Sequence, residues 1–194
     1  AQGNGAVRVE AEMAAHAQLR AIFFDFDSVL SVGIIKNGVF VMAMPDREQL
    51  ILSFDDSEKL ENFGGQERVQ KLRELLALLR AADVELFVIS TGFKRIFGPL
   101  MKDVGLLEFF QDACVFGQQE QLARTGGCVK GELIHQIMAL RGWRHEDVLF
   151  IDDSAGNIES ARDTCLTYHV PQPKEFGRHG LWEPHLDYIR QVAG

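Results

Sequence analysis

Apolar residues fall along the chain in short runs that alternate with longer segments of helical spacing. AIFF (21–24), VELFVI (84–89), ACVF (113–116), VLFI (148–151) and CLTYHV (165–170) are rich in Val, Ile and Phe. Neighbouring positions within each run are apolar, so both faces of a strand here need cover, as in a parallel sheet with helices on either side. Between the runs, QERVQKLRELLALLRAAD (66–83) sets Val69, Leu72, Leu75, Leu76 and Leu79 on one stripe. FKRIFGPLMKDVG (93–105) ends at Gly105, a helix C-cap signal. GELIHQIMALRGW (131–143) follows Lys130, and AGNIESARD (155–163) follows Asp152-Asp153. Repeated strand–helix–strand units predict an α/β fold: a three-layer, Rossmann-like parallel sheet of about five strands with right-handed crossovers.

One segment, at about 31–64, breaks the alternation. Asn37-Gly38 between IIK and VFVMAM is a hairpin signal. LILSF (50–54) predicts a further strand and DDSEKLENF (55–63) a short capped helix. The segment is expected to form a β-hairpin flap or small cap emerging after the first strand. Val39 to Met44 is apolar at every position, so one face of such a strand stays uncovered by the core. Either Leu50, Ile51, Leu52 and Phe54 fold back over it, or the flap makes a homodimer contact or binds a protein partner. The rest, 21–194, predicts a single domain carrying this insert. Residues 1–20 form an N-terminal extension; AQGNGAVRVEAE (1–12) precedes the first Met, Met13, and reads as a remnant or as part of a longer protein.

Composition narrows the function. With 194 residues, 46% hydrophobic, and a mean hydropathy of -0.04, the chain can bury a full core. The net charge of -8 disfavours a general affinity for nucleic-acid backbone or anionic lipid. Cys114, Cys128 and Cys165 form no CxxC pair, which predicts reduced thiols and a cytoplasmic location. No apolar stretch is long enough to span a membrane.

In a sheet of this class ligands collect beyond the carboxyl ends of the strands. The first strand delivers Asp25 and Asp27 there, the second Ser90 and Thr91, and the fourth Asp152 and Asp153, with Lys130 opening a helix. Asp25 and Asp27 are two apart, so on an extended chain they share a side and repel unless a cation or proton intervenes. Carboxylate ligands suit Mg²⁺, and lysine with hydroxyls suits phosphate oxygens. A phosphorylated substrate, small molecule or macromolecule, is the expected partner.

These residues carry a resemblance. DFDSVL is similar to the opening DxDx[TV][LV] motif of the haloacid dehalogenase superfamily, Ser90 to its second motif, Lys130 in CVKGELI to its third, and FIDDSAGNIESA to its acidic fourth. VGLLEFFQDACVFG resembles the run before the family's third strand, and the motifs fall in the family's order from 21 to about 170. The resemblance implies a magnesium-dependent phosphohydrolase or phosphotransferase of the phosphatase branch. Asp25 would be the nucleophile that forms an aspartyl-phosphate, and Asp27 the acid and then base. Ser90 and Lys130 would bind the phosphoryl group, with Thr91 as the competitor of Ser90. Mg²⁺ would be held by Asp25, the backbone carbonyl of Asp27, and Asp153. The fourth motif commonly has a second acid where Asn157 stands, and often glycine where Asp152 stands; both are assigned supporting roles.

Other readings compete. A decayed, non-catalytic metal- or protein-binding module draws on Asn157; a carbon–halogen hydrolase needs no acid at Asp27. Asp55-Asp56-Ser57 repeats the acidic triplet but has no lysine-led helix before it, and is expected to be a helix cap only. His169 lies nearest the site among the six His residues, and Trp143 and Trp182 are expected to be packing residues.

Overall fold

The computed structural model of the protein describes residues 19–32, 44–172 and 179–194. Five strands form one sheet: β1 (Ala21–Phe24), β2 (Glu85–Ile89), β3 (Val115–Phe116), β4 (Val148–Asp152) and β5 (Leu166–His169). All pairings are parallel and the order is β3-β2-β1-β4-β5. Among the described residues eight α-helices accompany them: α1 (Met44–Leu52), α2 (Asp56–Asn62), α3 (Gln66–Ala81), α4 (Lys94–Asp103), α5 (Gln118–Thr125), α6 (Lys130–Arg141), α7 (Ala155–Ala161) and α8 (Glu183–Ala193).

The period of two along β1 divides the core. Ile22 and Phe24 face one apolar layer, built with α3, α4 and α8. Ala21 and Phe23 face the other, built with α6 and α7. Phe23 pairs in register with Phe87 of β2 and stacks on it, ring centroids 4.3 Å apart. The five strands of the predicted alternation and all five predicted helices are present, while α1, α5 and α8 had no helical counterpart in the sequence reading. Trp143 packs edge-on to Phe87, and Trp182 lies under the Arg68 guanidinium, 5.3 Å from ring centroid to Cζ.

The insert needs correction. LILSF is not a strand: Leu50 to Leu52 complete α1, and Ser53 and Phe54 lead out of it. Periodicity cannot separate a short apolar strand from a buried helical turn. Here Ile51 and Phe54 are buried while Leu52, 62% exposed, and Ser53 between them face out, an i, i+3 spacing rather than strand alternation. The Asn37-Gly38 hairpin, with Phe40 and Met42, lies outside the described residues, as does the extension up to residue 18. Met44, assigned above to the hairpin, opens α1. The capped helix stands as α2, and its cap is Asp55: Asp55 Oδ1 accepts from Glu58 N–H at 2.8 Å, and Glu58 Oε2 accepts from Asp55 N–H at 3.1 Å.

Arg68, on the buried stripe of α3, ties this region together. Its guanidinium donates to the carbonyls of Leu30 (2.8 Å), Phe63 (2.8 Å), Val29 (2.9 Å) and Leu181 (2.9 Å). Burial lowers its pKa to about 9, and the carbonyls around it are all acceptors for the charged form.

Candidate active site

From β1 the chain runs to β2 and β3 on one side, then returns past β1 to β4 and β5. The crevice at such a reversal, beyond the carboxyl ends of β1 and β4, is where an open α/β sheet holds ligands. Asp25 follows β1 directly and its N–H donates to Ile151 O of β4 at 2.9 Å. The chain then makes a wide turn over Phe26–Leu30, closed by Ser31 N–H to Phe26 O at 2.9 Å. Ser28 takes a left-handed φ of 57°, which redirects the chain just after Asp27.

Lys130, at the start of α6, is the centre of the cluster. Its ammonium is 1% exposed and lies 2.8 Å from Asp25 Oδ1 and 2.6 Å from Asp152 Oδ2. Asp25 Oδ1 also accepts its neighbour Phe26 N–H at 2.7 Å. Asp152 Oδ1 accepts Ser154 N–H at 2.8 Å, and Asn157 Nδ2 donates to both Asp152 oxygens, at 3.0 and 3.2 Å. Asn157 therefore fixes Asp152, and Asp152 fixes Lys130, a chain of contacts the sequence reading had assigned only as support for a metal site.

Oxygens of Asp25, Asp152 and Asp153 lie within 4.8 Å of one another. Burial drives the Asp25 carboxyl well above its ordinary pKa; Lys130 opposes this, and Asp152 and Asp27 reinforce it. Burial likewise raises Asp153, with Asp152 adding to the shift. Burial works against the Lys130 charge, but Asp25 and Asp152 raise it above its ordinary value. A single ammonium thus faces several crowded carboxylates. The surplus negative charge and hard oxygen donors fit a divalent cation.

Ser90 is fully buried at the end of β2, and its Oγ accepts Gly92 N–H at 3.0 Å; Thr91 is exposed. The geometry separates the two hydroxyls as strand alternation requires. His169 is exposed, its Nε2 2.9 Å from the Asp153 carbonyl oxygen, and Gln172 Nε2 donates to the Asp153 carboxylate. Gln121 of α5 escaped the sequence reading altogether. It is buried, and its Nε2 donates to the Ser90 carbonyl at 2.6 Å. Nothing in QQEQLART distinguishes it from a surface glutamine.

A larger opening, about 670 Å³, lies at the opposite, amino end of the strands, between Arg20, Glu85, Arg141 and Asp147. Four of its charged residues are paired with one another, Arg141 with Glu85 at 2.7 Å and Arg144 with Asp147 at 3.1 Å. Among the described residues no helix is long and apolar enough to cross a membrane.

A family model, haloacid dehalogenase-like hydrolase, matches residues 47–163, more than half the chain. The match begins after Asp25 and Asp27, which enter the site through the fold. No curated protein matches the chain significantly. Among solved structures it is similar to the cobalt-bound deoxy-D-mannose-octulosonate 8-phosphate phosphatase from Haemophilus influenzae (16% identity, 91% of this chain and 90% of that one, TM-score 0.53). It is also similar to the 3-deoxy-D-manno-octulosonate 8-phosphate phosphatase from Moraxella catarrhalis, solved with magnesium, phosphate and KDO (15%, 93% and 90%, 0.54). A haloacid dehalogenase-like hydrolase from Streptococcus pneumoniae matches at 19% identity over 88% and 90%, with a TM-score of 0.51. At these identities the likeness is one of fold.

Proposed function

Because the chain belongs to the haloacid dehalogenase-like hydrolase family, we propose that it is a magnesium-dependent phosphohydrolase working through an aspartyl-phosphate. The observation that carries this reading is the buried Lys130 joining Asp25 to Asp152 at the switch point, with Asp153 alongside. The two octulosonate 8-phosphate phosphatases of the same fold support a phosphate ester as substrate.

Asp25 is the nucleophile. Lys130 and Phe26 N–H hold one of its carboxylate oxygens, which sets the direction of the other. That oxygen bonds to phosphorus as the ester P–O bond breaks, and Asp27 gives its proton to the departing oxygen. Water then attacks phosphorus and passes a proton to Asp27; phosphate leaves and the Asp25 carboxylate returns. Lys130 offsets charge on the phosphoryl oxygens, and Ser90, with Thr91 as the alternative, donates a hydroxyl to them. Asp25, Asp153 and the Asp27 carbonyl would hold Mg²⁺, which when bound supplies positive charge against the carboxylates and phosphoryl group.

Phosphate release from phenyl phosphate, with Mg²⁺ and with a chelator, tests the reading. Turnover should require the metal, and Asp25→Asn should lower it by roughly a thousandfold or more while preserving the fold. Near wild-type activity in Asp25→Asn would rule out the covalent route.

A further inference from the structure

A second cavity, about 290 Å³, opens beside Asp27. That volume is at the small end of ligand pockets. Phe26, Ile51, Ile96, Phe97 and Leu100 form its floor, and all are buried. Phe26 and Phe97 stack, ring centroids 5.0 Å apart, giving that wall a flat aromatic surface. Phe93, Thr91, Gln118 and Asp27 stand at the rim, where each retains some exposure.

Gly92 shows how closely the cavity adjoins the chemistry. A Cβ placed there would lie 3.2 Å from Ser90 Oγ, 3.7 Å from Asp27 Oδ2 and 3.8 Å from the Phe97 ring. The phosphate-binding hydroxyl, the acid and the apolar wall converge on one point. The cavity is therefore within reach of the organic group on an oxygen that Asp27 protonates.

Charge then limits what that group can be. Asp27 is the charged residue among the described lining residues. Among the described residues, the two cations that open α4 are engaged with other acids: Lys94 with Asp112 at 2.9 Å, and Arg95 with Glu48 at 3.4 Å. A second phosphate or a carboxylate would bring a further charge beside the Asp27 carboxylate and against an apolar floor that cannot solvate it. A sugar would set hydroxyls against a floor that cannot hydrogen-bond them.

We infer that this cavity is the leaving-group subsite and takes an uncharged aromatic alcohol, so that the substrate class is its phosphate monoester. The inference rests on the phosphatase reading above. Benzyl phosphate and glycerol 1-phosphate are both alkyl esters, so their comparison reads the cavity rather than the basicity of the leaving oxygen. Burying one ring should favour benzyl phosphate roughly ten- to a hundredfold in kcat/KM. Ile96→Asn should lower that ratio about tenfold; if this variant does not fold, Phe93→Ala at the rim replaces it.

Calorimetry with the Mg²⁺-loaded protein separates the inference from its premise. Benzylphosphonate should bind at least about tenfold tighter than methylphosphonate, a preference that Ile96→Asn lowers. Tighter benzylphosphonate binding without turnover of either ester would discard the phosphatase reading and keep the cavity assignment. Equal kcat/KM for the two esters, equal affinities, or no binding of either phosphonate overturns the assignment.

Discussion

Asp25 sits with its carboxyl inside the protein, opposed by two further acids and answered by one lysine. A carboxyl whose folded pKa lies above its unfolded value near 3.8 takes up a proton on folding. Its stabilising effect is therefore complete below that value and is lost as pH climbs through the raised one. The metal-free protein should lose melting temperature from about pH 4 towards neutrality, the slope should flatten in Asp25→Asn, and Mg²⁺ should restore the loss at pH 7. Melting curves with chelator and with Mg²⁺ check all three. The two acidic triplets separate at this scale as well. Asp55→Ala removes a capping box and should cost about 1 kcal/mol without changing metal dependence. Asp153→Ala should leave stability at pH 7 equal or higher and abolish activation by Mg²⁺. Urea melts and a magnesium titration of phosphate release distinguish them. Asp25, Asp152, Asp153 and Lys130 were legible because acids ending β1 and β4 and a lysine opening a helix fall together, in motif order, at the carboxyl ends of the strands. Asn157 was placed at the site without its grip on Asp152, and Gln121 escaped altogether, since an amide gives no sign in sequence of whether it grips a carboxylate, a carbonyl or water.

Lys130 keeps its position only if α6 keeps its own. Gly131, the next residue, lies against α7, and a Cβ there would overlap the Ser160 carbonyl. Gly131→Ala should therefore force the helices apart, costing about 1–3 kcal/mol and drawing the ammonium away from Asp25 and Asp152. A lower melting temperature together with a fall in phosphate release is the expected result; a fall in stability alone would mean that Lys130 swings back unaided. The same element scale explains where sequence reading failed. QERVQKLRELLALLRAAD has one solution because its spacing matches the helical period, and VELFVI is settled by its shortness and its β-branched and aromatic content. LILSF has two, and what decided it was the segment before it: Pro45 and Asp46 occupy the first turn of α1, where helices favour them. The second acidic triplet, by contrast, announced α2 correctly through its capping residues.

Across the whole molecule, the apolar runs foretold a parallel sheet covered on both faces, and with it a site at the strands' carboxyl ends. They could not foretell the order β3-β2-β1-β4-β5, because right-handed crossovers leave open the side on which each new strand is added. Nor could they foretell the reach of Arg68. It shares a stripe with Leu72, Leu75 and Leu79, so its burial had a local sign, but the carbonyls it grips lie 38, 39 and 113 residues away. Val29 O is the meeting point: it accepts Arg68 Nη2 at 2.9 Å and Leu181 N–H at 3.0 Å. The turn carrying Asp27 is thereby fastened to a segment near α8 that takes no part in the chemistry. If that turn opens to admit a substrate, the amides of Ser31 and Leu181 are unlatched in the same event. Deuterium from solvent should then enter both at one common rate, slowed together when phosphate and Mg²⁺ are added. Independent rates would mean that the turn and the Leu181 segment fluctuate separately. Leu181 thus offers a clock for active-site motion, readable from a position that no substrate touches.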